Sequence, residues 1–144
     1  MIQPFEYYEK SNLVEKTTSN VSLAKSLIEK SEIRLKRILK EKITETEASI
    51  VFEDIYESVR EASQDLMQLA KYKPLSHEAV IAFLKKGKSL SEEKINILNN
   101  YRILRNKSVY QAEKISLDKC NGAIKFAKLI LPEIKRKFEE ISKK

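Results

Sequence analysis

The chain has 144 residues, 42% hydrophobic and 34% charged, a balance that supports one folded domain with a real core and excludes a disordered chain. Two glycines and three prolines disfavour a turn-rich β architecture, one cysteine cannot close an internal disulfide, and no apolar run nears the roughly 18 residues that span a bilayer. The formal charge of +7, from 28 basic and 21 acidic residues, suits nucleic acid or another acidic partner, but lysines spread over solvated helix faces give the same total.

In chain order, Pro4-Phe-Glu-Tyr-Tyr-Glu-Lys10 reads as a short leading helix with proline tolerated in its first turn. Residues 11–20 are polar and β-branched and read as a connection ending in a cap, so residues 1–20 form an N-terminal extension. Over residues 21–42, Val21, Ala24, Leu27, Ile28, Leu35, Ile38 and Leu39 recur at helical spacing, with lysine, arginine and glutamate opposite. Thr44-Glu-Thr-Glu47 is a capping box heading a second long helix that carries Val51, Ile55, Val59, Ala62, Leu66 and Leu69, with Phe52 and Tyr56 beside them. Lys71-Tyr-Lys-Pro74 stops it, because proline disfavours helix at the residue before it.

Ser76 caps a short helix from His77 to Lys86, which Gly87 ends. Ser89-Leu-Ser-Glu92 is a second capping box, and the helix it heads runs into Asn99-Asn-Tyr-Arg-Ile-Leu-Arg-Asn-Lys-Ser-Val-Tyr110 before a break over residues 111–116. The last helix, from Leu117, spaces Leu117, Cys120, Ile124, Ala127, Leu131, Ile134, Phe138 and Ile141 by threes and fours, a seam suited to packing on another helix, with Pro132 bending it without ending it. No linker or repeat divides residues 1–144. The expected fold is a single all-α domain, an up-and-down antiparallel bundle of four main helices plus short helices.

Three features carry a resemblance: Tyr56-Glu-Ser-Val-Arg-Glu-Ala62 on a long helix, the turn Tyr72-Lys-Pro-Leu-Ser-His-Glu-Ala79, and Arg102-Ile-Leu-Arg-Asn106 with a tyrosine following, before a final helix. In this order they resemble the HEPN (higher eukaryotes and prokaryotes nucleotide-binding) family, in particular small archaeal members, over residues 21–138. The resemblance implies an antiparallel helical bundle, often a homodimer. In catalytic members an arginine and a histidine four to six residues further on form a metal-independent endoribonuclease at the dimer interface. Many small members are encoded with a minimal nucleotidyltransferase as toxin–antitoxin pairs. This chain departs from the motif: the histidine position holds Tyr110 counted from Arg105, or Ser108 counted from Arg102.

Arginine binds phosphate through a two-pronged fork, whereas tyrosine, with an ordinary pKa near 10, is a poor base at neutral pH. Arg105 and Tyr110 as a catalytic pair therefore stand beside a binding reading, in which Arg102, Arg105, Asn106, Tyr110 and His77 hold RNA or a nucleotide and Glu57 and Arg60 support Arg105. On an unbroken helix Arg105 and Tyr110 point about 140° apart, so they converge only if the helix ends or bends near Lys107, or across a dimer axis. A structural role is equally open, with Arg105 paired to a carboxylate such as Glu57 and Tyr110 packed at a helix end. His77, the one histidine, is either a capped helix-start residue or a replacement base, and the helix dipole should lower its pKa. Cys120 belongs to the apolar seam, and no spacing suggests a metal site, a P-loop or a dinucleotide fingerprint, so no cofactor is expected. The N-terminus lacks the features of a signal peptide, and a cytoplasmic location is expected, with RNA or a nucleotide, a second copy and a nucleotidyltransferase as candidate partners and no membrane. The remaining alternatives are an endoribonuclease toxin and a non-catalytic interaction module that pairs through the last-helix seam.

Overall fold

The computed structural model describes residues 2–143, and they are mostly helical. Six helices follow one another: α1 (Phe5–Lys10), α2 (Val21–Lys40), α3 (Ala48–Leu69), α4 (His77–Lys86), α5 (Glu92–Gln111) and α6 (Leu117–Ser142). Side-chain caps define four of the starts. Asn20 accepts from the amide of Leu23, Ser76 from Glu78 and Ala79, Ser91 from Lys94, and Ser116 from Lys119, each satisfying donors that the first helical turn leaves free.

Two starts differ from the capping boxes read in the sequence. Thr44-Glu-Thr-Glu47 forms a turn closed by the Glu47 amide on the Thr44 carbonyl at 3.1 Å, and α3 begins only at Ala48. Likewise the cap of α5 is Ser91 rather than Ser89, which places Glu92 in the first turn, where the helix dipole favours an acid.

α3 is the central element. It packs most extensively on α2 and α6 and also meets α4 and α5. Its inward face places Phe52, Ile55, Val59, Ala62 and Leu66 in one apolar core with Ile28 and Ile38 of α2, Ile95 and Leu98 of α5, and Cys120, Ala127, Ile130 and Ile134 of α6. The α6 seam is thus consumed inside the chain, with Leu131 and Phe138 buried alongside, so it is not a free surface for a partner, as the interaction reading required. Helix α6 continues through Pro132. Ion pairs that cross between helices around this core include Arg34 with Glu61, Lys135 with Glu32, and Lys94 with Glu133.

The segment expected to be a bare connection contains a strand. Val14–Lys16 (β1) pairs antiparallel with Tyr72–Pro74 (β2), Glu15 opposite Lys73. Neither three-residue strand is long enough to show an alternating pattern, and Pro74 falls at the end of its strand, where a missing donor is tolerated. The clip holds α1 against α4. Phe5 meets Tyr72 and Phe83 edge-on at 5.1 and 5.6 Å, over a second core of Phe5, Tyr8, Val14, Met67, Ala79 and Val80.

Candidate arginine-lined site

Where α3, the start of α4 and the second half of α5 meet, three arginines gather around two rings. Tyr56 and Arg60 are four apart on α3 and share a face; Arg102 and Arg105 are three apart on α5. The cap at Ser76 turns His77 toward them. The His77 imidazole stacks on the buried Tyr56 ring with centroids 6.0 Å apart and planes 30° from parallel, and the Arg105 guanidinium carbon lies 5.9 Å from the same ring.

Each arginine is differently engaged. Arg60 is held bidentate by Glu57, its Nε donating to Oε2 at 2.9 Å. Arg102 donates through Nε to Asn99 Oδ1 at 2.9 Å and pairs through Nη1 with Glu78 Oε1 at 3.4 Å. Arg105 donates to the side-chain oxygen of Asn106 at 3.2 Å and, among the described residues, meets no carboxylate within ion-pair distance. Glu57, the carboxylate the sequence suggested for Arg105, belongs to Arg60 instead: on one helix the two are three apart and reach each other without any tertiary fit.

The electrostatics follow from this crowding. Burial, then the positive charge of Arg60, Arg105 and Arg102, pulls the His77 pKa down to about 4, so the ring is neutral at neutral pH. The direction matches the sequence expectation, but burial and arginines supply it. Burial also pushes Tyr56 up to about 12, although the same three arginines oppose it. Glu78 has a second partner from outside the cluster: Tyr8 Oη donates to its Oε2 at 3.2 Å and accepts from the Gln3 amide at 3.1 Å.

Of the residues singled out in the sequence, Arg102, Arg105, Asn106, His77, Glu57 and Arg60 lie in or beside this cluster. Tyr110 does not join them within one chain. Helix α5 runs unbroken to Gln111, so Tyr110 points about 140° away from Arg105 and is 75% exposed. Ser108, the alternative position for the motif histidine, is buried and donates to Glu53 at 2.8 Å. Sequence reasoning missed Glu78, Asn99 and Tyr8, and left Tyr56 as a flank of the core face. Tyr56 is one helical turn before Arg60, which was a usable signal; nothing local to Tyr8 announces a partner 70 positions away.

Among the described residues no group of three or more His, Cys, Asp or Glu side chains is placed to hold a metal ion, and no helix is long and apolar enough to cross a membrane. The chain matches no family model, no curated protein and no solved structure.

Proposed function

We propose that this chain is a HEPN-like helical domain that binds RNA or a nucleotide at the Arg105 cluster. The observation that carries the reading is Arg105, which has no carboxylate partner among the described residues, held over the Tyr56 ring beside a neutral His77. A guanidinium held in this way offers a fork to phosphate, and a neighbouring ring offers a face to a base. The order of the four long helices, with α2, α5 and α6 disposed around α3, supports an up-and-down bundle of that family's kind. Arg105→Ala should weaken binding of a short single-stranded RNA about tenfold, as loss of a charge-assisted phosphate contact implies, with the helical far-UV CD spectrum retained. Unchanged affinity would remove Arg105 from the site.

A second reading, cleavage with His77 as the base in place of the motif histidine, draws on the neutral state of His77 beside the arginines. A base with a pKa about 4 has little proton-accepting drive at neutral pH, so binding is preferred. Incubation with tRNA in the presence of chelator separates the two, since cleavage that is lost in His77→Ala favours the enzyme. Homodimerisation is part of the leading reading. Ile103, Asn106 and Tyr110 share one stripe of α5, and Ile103 and Tyr110 are exposed there, which supports this stripe as the face on which a second copy packs. A nucleotidyltransferase partner in a toxin–antitoxin pair would add a further surface.

A further inference from the structure

We infer that Glu78 is the selectivity element of this site: it occupies Arg102 and sets the charge of the cluster to match one phosphate charge, so the site takes phosphodiesters and turns away terminal phosphates. The inference rests on the reading of Arg105 as the ligand contact and says which phosphates that contact accepts.

Three guanidiniums meet in the cluster against two carboxylates, Glu57 paired with Arg60 and Glu78 paired with Arg102, while His77 stays uncharged, so the formal charges sum to +1. One positive charge is left, on Arg105. A phosphodiester carries one negative charge, whereas a phosphomonoester carries about −1.5 to −2 near pH 7. Within the cluster, the second charge of a monoester can be met only by an arginine that already has a carboxylate partner, which requires Glu78 to release Arg102 or Glu57 to release Arg60. Arg102 is well placed to be such a second contact, because it is three positions from Arg105 and shares its side of α5.

Glu78 is not a loose surface acid. Its two oxygens are committed to different partners, Oε1 to Arg102 and Oε2 to the Tyr8 hydroxyl. Tyr8 is itself buried and receives the Gln3 amide, so the hydroxyl that grips Glu78 is fixed from the N-terminal side. Arg102 is held equally firmly, with a side chain only 12% exposed and its Nε tied to Asn99. The side chain of Glu78, by contrast, is 44% exposed, so its carboxylate is open to solvent beside the more buried Arg102. An anion that approaches Arg102 meets the negative charge of Glu78, held by two partners, as well. A like charge at that position costs a dianion more than a monoanion.

Calorimetric titration of the full chain with adenylyl-(3′,5′)-adenosine (a diester) and with adenosine 5′-monophosphate (a monoester) tests this. Glu78→Gln should tighten the monophosphate about fivefold, the upper range for a partly exposed ion pair, and leave the dinucleotide within about twofold. Tyr8→Phe should move the monophosphate in the same direction by a smaller factor, because the carboxylate persists but is free to swing away. A purely structural role for Glu78 can only weaken binding, so a selective gain separates the two roles. If Arg105→Ala weakens both ligands while Glu78→Gln and Tyr8→Phe leave the monophosphate unchanged or weaker, the selectivity role is overturned and the Arg105 site stands. If Arg105→Ala changes neither ligand, the site assignment fails and the selectivity role fails with it. Should Glu78→Gln not fold by CD, Tyr8→Phe carries the decision.

Discussion

Asp65, on the inward side of α3, is fully buried with both carboxylate oxygens lacking hydrogen-bond partners, and burial pushes its pKa up to about 8. The folded chain therefore keeps a proton that the unfolded chain releases near the ordinary value of 3.8, and stability falls as pH rises between those limits. His77 acts in the opposite sense. Its pKa is lowered to about 4, so its contribution is fully present above the ordinary 6.5 and is lost as pH falls from there toward 4. From pH 6.5 to 8 only the Asp65 slope is left of these two, and urea midpoints should decline there for the wild type but stay flat for Asp65→Asn. A wild-type midpoint that rises across that window would contradict a protonated Asp65. Cys120 gives a simpler readout: it is buried in the α3–α6 core with its thiol pushed up to about 11, so thiol reagents should label it only once denaturant opens the fold.

At the level of elements, the helices α2, α3 and α6 are readable because their apolar positions repeat at the helical period, and α2 and the short α4 also announce their starts through the caps at Asn20 and Ser76. Helix α5 is different. Its apolar residues follow no single stripe, because Ile95 and Leu98 are buried near its start while Ile103 and Val109 are exposed further along, so its partners could be read only in three dimensions. The β1–β2 clip was invisible for want of length, and with it the attachment of α1. The candidate site divides in the same way. Arg102, Arg105 and Asn106 stood out as a local motif, whereas Glu78 and Tyr8 matter only through contacts between distant segments. Phe5 tests how much the clip contributes. It is buried against Tyr72 and Phe83, and Phe5→Ala should cost about 3–5 kcal/mol in a denaturant titration, the range for truncating a core aromatic. A cost under about 1 kcal/mol would mean that α1 is a detachable flank.

For the molecule as a whole, the net charge of +7 makes some weak affinity for any polyanion expected, so binding alone does not establish a site. Salt dependence separates the two cases. One arginine–phosphate contact at the cluster predicts a log–log slope of about −0.7 for a single-stranded RNA oligomer, while a slope several times steeper would mark diffuse attraction to lysine-rich faces. Timing offers another view of the same architecture. The strand pair joins Glu15 to Lys73 and the Tyr8–Glu78 hydrogen bond spans 70 positions, so both close a large loop whose entropic cost is smallest once α2 and α3 have docked. The amides of Thr17 and Leu75, which bond to Lys71 and Leu13 across the clip, should exchange with deuterium well before that of Leu66 in the middle of the core. Equal protection would mean that the clip opens only when the whole molecule does. With that order, the hold on Glu78 forms late in folding and is released early on warming, so the proposed discrimination between ligands should fade at a lower temperature than the fold itself.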